Sequence, residues 1–426
     1  MPSDSLQPMR WPSEWTDPAL LALIAGSPVN CLLLDAPDSL AAVSAAARKA
    51  GVTVLDWKSL SATPLADVKW DAPAAQRVIT GLVWPRIRLS AGGRTNDVQA
   101  GPTGVPWIDS NAWVAQLARV RGHGAPLWLG FEPAKDSAPP DTTAYNIAIA
   151  DSAAAGARWI VNLDPQLRQG LAANNADDAK TWKALTAMLG FFEPHRKWSQ
   201  WDPWGALGIL SAFSGDFAFL GEEVLNLAAR RNLHYRVLDR LAAPGQLPAS
   251  LKAILYVDAA APTPQWKAAL DGFVRNGGML IVQPAVAAQF PGGASASCAL
   301  PTYSMKSLGR GRVAVSSHEW DDPYFLAQEA HNLVSRSQDP VRLFNASSLW
   351  EHYSESPDAK AAVLQLVGFS NRPYESVSIA TAKPWRTASL YVPGGAPVVL
   401  EAVKVDGRME YHLPSFSYFA ALEFGL

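Results

Sequence analysis

The first two hundred residues repeat one pattern, in which a short apolar run with a polar end precedes a segment of helical spacing. Continuous apolar runs of this kind are typical of strands buried in a parallel sheet, with crossover helices between them. The predicted strands are Val29–Asp35, Val52–Trp57, Arg77–Leu89, Pro126–Glu132 and Arg158–Asp164, and the predicted helices include Ala112–Arg121 and Thr142–Ala155. Residues 1–204 are therefore predicted to form a (β/α) barrel-like unit. The pattern contains about six strands, fewer than the eight of a complete barrel, so an incomplete barrel is an alternative.

Two other patterns follow along the chain. Apolar runs again alternate with helical segments over residues 205–335, which predicts a small doubly wound sheet. Thr263 precedes Pro264 and is predicted to begin a helix there. From residue 336 the apolar period changes to two, with a hairpin signal at Asp406-Gly407, so residues 336–426 are predicted to form a small antiparallel β-sandwich. The expected fold class is α/β and multidomain.

Composition narrows the function classes. The 426 residues are 49% hydrophobic, which is enough for real cores and excludes a disordered chain. The net charge is -2 and there is no basic arm, so nucleic acid is not an expected partner. Two cysteines and seven scattered histidines form no metal-ligand spacing, and neither a metal nor a cofactor is expected.

Targeting signals are not visible in the sequence. The first residues lack a basic stretch followed by an apolar one, and no run approaches the roughly 20 apolar residues of a membrane span. We therefore expect a soluble chain without a membrane partner. The compartment stays open between the cytoplasm and, for a trimmed chain, the periplasm or the exterior.

Tryptophan is unusually frequent in the N-terminal half. Thirteen of the 17 tryptophans precede residue 205. Indole rings stack well on the apolar faces of sugars, although any single ring can equally fill a core. The tryptophans predicted to contact a ligand are Trp84, Trp107, Trp113 and Trp128.

Acidic residues end several of the predicted strands. The carboxyl ends of parallel strands form the rim where barrel enzymes have their sites, and glycoside cleavage needs two carboxyl groups there. The acids in such positions are Asp35, Asp56, Asp109, Glu132 and Asp164. Each can instead cap a following helix, and Asp35, with Asp38 and Ser39 behind it, is interpreted as structural. Glu132 precedes a proline and a loop instead of a helix, so helix capping is a weaker explanation for Glu132 than for the other acids.

Polar neighbours of these acids complete the predicted site. Ser110 and Asn111 follow Asp109 and can cap the next helix themselves, which leaves Asp109 and Asn111 for function. Arg86 and Arg88 lie on one side of an extended segment. Arginine suits a carboxylate, so these two residues either bind an acidic sugar or pair with a strand-end acid. Asp164 is a further predicted ligand-binding residue.

The order of the three units resembles the β-galactosidase-like glycoside hydrolases of the family 42 type. The segments that carry this resemblance are Ile209–Phe213, Gly221–Arg231, Ala253–Asp258, Phe273–Val282, Ser356–Val367 and Tyr411–Glu423. The middle segments resemble that family's glutaminase-like trimerisation domain, and no cysteine follows a sheet strand as a glutaminase would require. The resemblance therefore implies a homo-oligomer, with a trimer favoured.

The same resemblance implies roles for two acids. The family's nucleophile is a glutamate at the end of the penultimate barrel strand, and Glu132 occupies that relative place. Asp109 is the second predicted catalytic carboxyl. The family's acid/base lies in an Asn-Glu pair, and the first two hundred residues contain no such pair.

These observations predict a glycoside hydrolase that cleaves an oligosaccharide or glycoside by a two-carboxylate mechanism. The missing Asn-Glu pair favours the alternative, a non-catalytic carbohydrate-binding protein on a degenerate barrel. A third hypothesis is an assembly subunit whose doubly wound unit serves as an interface.

Overall fold

The computed structural model describes residues 5–70, 74–88, 107–122, 124–133, 138–334 and 338–426. Its strands are β1 Pro8–Arg10, β2 Cys31–Leu34, β3 Thr53–Asp56, β4 Thr63–Pro64, β5 Arg77–Thr80, β6 Arg86–Ile87, β7 Ile108–Asp109, β8 Leu127–Leu129, β9 Arg158–Trp159, β10 Asp202–Pro203, β11 Leu207–Ser211, β12 Tyr235–Asp239, β13 Ala253–Tyr256, β14 Met279–Val282, β15 Ser295–Ala296, β16 Tyr303–Leu308, β17 Gly311–Ser316, β18 Val341–Phe344, β19 Leu349–Glu355, β20 Ala361–Gly368, β21 Ser378–Thr381, β22 Thr387–Tyr391, β23 Val398–Val399, β24 Val403–Val405, β25 Arg408–His412 and β26 Phe419–Gly425. Its α-helices are α1 Ala41–Lys49, α2 Ala112–Arg121, α3 Thr142–Ala154, α4 Pro165–Ala172, α5 Ala176–Phe192, α6 Lys197–Gln200, α7 Ala218–Arg230, α8 Pro264–Arg275, α9 Pro284–Ala287 and α10 Pro323–Val334. In the described ranges, none of the helices has the length and apolar character needed to cross a membrane.

The N-terminal strands are parallel and follow one another in chain order. β1, β2 and β3 form one ladder, and β4, β5, β8 and β9 form another. A parallel bridge between Met9 and Val161 joins the two, so the last strand lies beside the first. This is the strand order of a (β/α) barrel. No ladder joins β3 to β4 in the described part of the chain, and barrel closure therefore stays a prediction.

Alternate residues of these strands face two different cores. Leu32, Leu34 and Trp159 pack with the helices in the largest core. Cys31, Leu33, Val78, Trp128 and Ile160 pack with one another and Leu6 in a separate small cluster. Successive side chains of a strand point to opposite faces. Met9 lies in the helix-facing core, so the side chain of the next residue, Arg10, belongs to the other face.

The middle of the chain forms a seven-stranded sheet in the order β12-β11-β13-β14-β17-β16-β15. The strands from β12 to β17 in that order are parallel, and β16 and β15 extend the sheet antiparallel. The Thr263 hydroxyl caps α8 by accepting from the Trp266 N–H, as predicted. The sequence pattern does not predict β15, β16, β17 or α10, and it predicts the start of α7 at Glu222, four residues late.

The C-terminal part consists of two antiparallel sheets, β10-β19-β20-β26-β22-β23 and β18-β21-β25-β24, whose inner faces share one core. Asp406 and Gly407 have φ values of 47° and 79°, which is the left-handed geometry of the predicted hairpin turn. The apolar period of two also predicts one continuous strand over residues 398–405 before this turn, and this is wrong, because β23 and β24 belong to different sheets. A mixed α/β fold with several sheets is confirmed, whereas the domain boundaries after residues 204 and 335 stay predictions.

Candidate active site at the carboxyl ends of the parallel strands

Arg10 lies at the carboxyl end of β1, where its backbone is held from both sides. The Arg10 N–H donates to the Val161 carbonyl at 2.9 Å, and the N–H of Trp11 donates to the Leu33 carbonyl at 3.1 Å. Since the strands on either side fix the main chain, the Arg10 side chain extends from a rigid backbone at the rim.

The Arg10 guanidinium joins the carboxylates of two other strand ends. Its Nη1 donates to Glu132 Oε1 at 2.9 Å, just beyond β8, and its Nη2 lies 3.2 Å from both carboxylate oxygens of Asp35, just beyond β2. The guanidinium also lies 5.1 Å from the centre of the Trp57 ring, beyond β3. We call Arg10, Asp35, Trp57 and Glu132 the rim cluster.

The two carboxylates contact opposite ends of one guanidinium, which is a rigid planar fork. Paired carboxyl groups cleave glycosides at separations of roughly 5–9.5 Å, the shorter ones with retention and the longer ones with inversion. The side chains of Asp35 and Glu132 are 38% and 62% exposed, so both are open to a ligand.

A buried aromatic cluster supports the strand that carries Glu132. The Phe131 ring stacks on Trp159 at 5.7 Å between centroids and meets the edge of Trp84 at 5.4 Å. Tyr145 completes the cluster at 5.5 Å from Trp84. Trp84 is itself buried, so the structure gives this predicted stacking surface a packing role behind the rim.

Asp109 lies on a separate antiparallel pair formed by β6 and β7. Its Oδ1 accepts from Arg88 at 2.5 Å and 3.1 Å, and its Oδ2 lies 3.9 Å from Arg86. Among the described residues, no hydrogen bond or ion pair joins Asp109 to Glu132. Pairing with a strand-end acid, one of the two sequence hypotheses for Arg86 and Arg88, is confirmed. We call Arg86, Arg88 and Asp109 the hairpin cluster.

Trp107 connects the hairpin cluster to the middle sheet. Its half-buried ring lies between the guanidinium groups of Arg88, at 5.5 Å, and Arg230 of α7, at 4.2 Å. Burial raises the pKa of Glu223, also on α7, while the charge of Arg88 acts in the opposite direction. The hairpin cluster is thus built into the contact between the barrel-like unit and α7.

The remaining predicted ligand-binding residues have structural partners. The Asn111 side chain is buried and donates to the Val83 carbonyl at 2.8 Å. Asp164 caps α4 through the N–H groups of residues 166 and 167 and accepts from the Tyr145 hydroxyl at 2.9 Å. Trp128 is fully buried, and Trp113 is half-buried against the main core. Neither Asn111, Asp164 nor Trp128 offers a surface to a ligand at the rim.

Sequence reasoning missed three members of the rim cluster, because Arg10 and Trp57 are not among the predicted site residues and Asp35 is interpreted as structural. Arg10 was missed because β1 is only three residues long and begins with a proline, which hides its apolar pattern. Asp35 is interpreted from the sequence as structural, with Asp38 and Ser39 as the cap of the next helix, and this cap is wrong. Leu40 occupies the N-cap of α1 without a side-chain bond, and the Ser39 hydroxyl donates to the Ala36 carbonyl instead. The available signal was the set of charged residues at the carboxyl ends of β1, β2 and β8.

In the described part of the chain, no group of three His, Cys, Asp or Glu side chains could hold a metal ion.

Comparisons with solved structures find the same architecture in glycosidases. Alpha-L-fucosidase isoenzyme 2 from Paenibacillus thiaminolyticus superposes with a TM-score of 0.53 at 10% identity, over 99% of this chain and 84% of the fucosidase. A catalytic mutant of a GH42 beta-galactosidase from G. stearothermophilus superposes with a TM-score of 0.50 at 12% identity, over 91% of this chain and 66% of the galactosidase. No protein-family model matches the sequence, and no curated protein matches it either. The fold is thus similar to that of glycoside hydrolases.

Proposed function

We propose that this protein is a glycoside hydrolase whose active site is the rim cluster. The observation that carries the proposal is the pair of carboxylates, Asp35 and Glu132, that share the Arg10 guanidinium at the carboxyl ends of the parallel strands. Charged groups that converge from different strands at this rim are typical of catalytic sites on barrels. The glycosidase fold of the structural neighbours supports the same conclusion.

The proposed mechanism uses two carboxyl groups. Glu132 attacks the anomeric carbon while a second carboxyl group gives its proton to the leaving oxygen, and the bond between that carbon and oxygen breaks. Water then attacks the glycosyl ester of Glu132, and the second carboxylate accepts the proton of that water. The Arg10 guanidinium touches both carboxylates, so it fixes their relative position before the substrate binds.

Asp35 is the better partner for Glu132 than Asp109. Asp35 and Glu132 contact the same guanidinium and are both open to solvent. Asp109 is buried, and its oxygens are already engaged by Arg86 and Arg88. A carboxylate held between two arginines has to lose one of these contacts before it can give or take a proton. The second catalytic role therefore passes from Asp109 to Asp35 in this proposal.

The proposed substrates are carbohydrates, and the structural neighbours indicate where a screen should begin. One neighbour is an α-L-fucosidase and another is a β-galactosidase. Aryl α-L-fucosides and aryl β-D-galactosides are thus the first substrates of a panel that also includes mannosides, xylosides and uronides. The protein should release the aryl alcohol from at least one of them.

The decisive variant is Glu132→Gln, with Glu14→Gln as a matched control. Glu14 is 53% exposed and pairs with Arg168 at 3.1 Å, so it resembles Glu132 in exposure and in pairing but lies outside the rim cluster. Both substitutions should change the free energy of unfolding by at most about 1 kcal/mol, since exposed ion pairs contribute little. Glu132→Gln should lower kcat/KM at least about 1,000-fold, because the amide is a poor nucleophile.

Two results would contradict the proposal. Glu132→Gln with more than a tenth of the wild-type turnover would remove Glu132 from the chemistry. A protein that binds oligosaccharides and cleaves none of the panel would support the alternative, a carbohydrate-binding protein on a degenerate barrel.

The homotrimer implied by the sequence resemblance is a separate proposal. Light scattering at micromolar concentration should return three times the chain mass of 45.7 kDa. A mass of one chain would contradict it without bearing on the chemistry of the rim cluster.

A further inference from the structure

A cavity of about 430 Å³ lies at the amino ends of the parallel strands, on the side opposite the rim cluster. Its lining includes Gln7, Pro126 and Arg158, which precede or begin β1, β8 and β9. Helices α2, α3 and α5 form further walls, and Gln365 of β20 reaches it from the C-terminal sheets. Small-molecule sites have volumes of roughly 300–1,000 Å³ and favour such junctions between units.

Positive side chains outnumber negative ones on the cavity wall. Among the described residues that line it, three are arginines, Arg119, Arg158 and Arg196, and one is acidic, Glu193. Glu193 accepts from Arg158 at 3.0 Å with one oxygen and from Arg196 with the other. One carboxylate thus faces two guanidinium groups, and Arg119 adds a third.

Arg119 carries its charge in a poorly solvated place. Its Nη1 donates to the Trp201 carbonyl at 2.8 Å, and its Nη2 donates to the Ser199 carbonyl. Burial lowers the pKa of Arg119, and the nearby Asp202 acts in the opposite direction. A buried cation is costly unless an anion or several acceptors compensate it. Two carbonyl oxygens already accept from Arg119, and an anionic group in the cavity would add to this compensation.

The rest of the lining suits one organic ring. The lining includes apolar residues, among them Leu127, Leu189 and Phe192. Trp128 also belongs to the lining, but it is fully buried and its indole N–H is not open to a ligand.

We propose that this cavity binds a small organic molecule with one ring and one oxyanion, either a carboxylate or a phosphate, at a site separate from the rim cluster. The arginines recognise the oxyanion, since planar guanidinium groups suit both carboxylate and phosphate oxygens. The apolar residues of the wall hold the ring. The proposal does not depend on the glycosidase activity.

The test is calorimetric titration of the whole protein with D-glucuronate, D-glucose 6-phosphate and D-glucose in a buffer without phosphate. At least one of the two anions should bind at millimolar concentration or tighter, and D-glucose should bind at least about tenfold more weakly. Binding of the glucuronate alone identifies a carboxylate site, and binding of the sugar phosphate alone identifies a phosphate site. Glu132→Gln should bind the anion as the wild type does.

Two variants locate the bound anion. Arg158→Gln removes one guanidinium. Ala118 is a buried residue of α2 that lines the cavity, so Ala118→Leu keeps every charge but fills part of the cavity. Each should weaken binding at least about tenfold, whereas Arg372→Gln, at an exposed arginine, should not change it. If Arg158→Gln does not fold, Ala118→Leu decides alone. Absence of binding by both anions, equal binding of D-glucose, or unchanged binding in Ala118→Leu would overturn the proposal.

Discussion

The rim cluster and the hairpin cluster are built from the same kinds of side chains and differ in how those side chains are exposed. In the rim cluster one arginine serves two carboxylates, and both carboxylates are open to solvent. In the hairpin cluster two arginines serve one carboxylate, Asp109, whose side chain is only 9% exposed. The first arrangement leaves both carboxylates open to solvent, whereas the second buries one carboxylate between two guanidinium groups.

This difference separates a candidate site from a structural joint. A carboxylate with free lone pairs and access to solvent can meet a substrate, while a buried one that is bonded twice holds two segments together. The hairpin cluster contacts α7 through Trp107, and this is consistent with a structural role. The residue type at a strand end is thus not enough to identify a catalytic carboxylate. The number of arginines that contact each carboxylate distinguishes the candidate site from the structural joint.

The sharpest test of this comparison exchanges the two aspartates for asparagine. Asp35→Asn should lower kcat/KM at least about 100-fold, because the amide cannot transfer a proton. Its free energy of unfolding should fall by at most about 1 kcal/mol, since the ion pair is largely exposed. Asp109→Asn should show the reverse, a loss of about 1–2 kcal/mol of stability with turnover within about threefold of the wild type.

Steady-state kinetics and urea unfolding of both variants provide the measurement. If Asp109→Asn lost activity while its midpoint of unfolding stayed unchanged, the second catalytic role would return to Asp109. Equal losses of activity in both variants would show that exposure does not separate the two clusters.

A third cluster of ionisable side chains, His234, His352 and Glu351, differs from the first two because the His234 and Glu351 side chains are almost completely buried. His234 Nε2 lies 3.5 Å from Glu351 Oε1 at the contact between the middle sheet and the C-terminal sheets. Burial lowers the pKa of His234 to about 3, with His352 and His331 acting in the same direction, and burial lowers the pKa of His352 to about 4. Burial also raises the pKa of Glu351, with the charge of Asp339 adding to the effect. The folded chain therefore holds these groups uncharged.

The sign of the pH dependence follows from which state binds more protons. Between about pH 4 and 6.5 the unfolded chain protonates both imidazoles and the folded chain does not, so these groups make stability rise with pH. Above about pH 4.5 the folded chain keeps the Glu351 proton that the unfolded chain releases, so this group makes stability fall with pH. Two imidazoles outweigh one carboxyl below about pH 6.5, and only the carboxyl acts above it. The contribution of this cluster should therefore peak near pH 6.5.

Glu351→Gln should remove the fall on the alkaline side. The amide is neutral at every pH and similar in shape to the protonated acid, so the variant should fold. Each fully shifted group changes the slope by about 1.4 kcal/mol per pH unit. Urea unfolding between pH 5 and 8 measures both arms of the curve. A variant whose stability falls above pH 6.5 as steeply as the wild type would show that Glu351 is already ionised in the folded protein.

The sequence could predict most elements and only part of the site. Helix α2 matches its prediction residue for residue and helix α8 begins where it is predicted, because continuous helical periodicity is a local signal. Glu132 was also found from its place at a strand end. Arg10 was not, because its importance comes from Asp35 and Glu132, which are 25 and 122 residues away and which only the fold brings beside it. The burial of Trp84 and Trp128 is likewise decided by which face of the sheet the helices cover.

The smallest effect that we expect concerns Trp57, which does not hydrogen-bond to either carboxylate of the rim cluster in the described structure. Its half-buried ring lies 5.1 Å from the Arg10 guanidinium, at the cation–π distance that contributes roughly 0.5–1 kcal/mol at an exposed site. Trp57→Leu should therefore lower kcat about three- to fivefold through a less fixed guanidinium, while KM changes less. Trp57→Phe keeps an aromatic face and should restore most of kcat, which a purely structural role of the indole would not predict. Equal kcat in the leucine and phenylalanine variants would show that the ring only fills space and that Asp35 and Glu132 alone position Arg10.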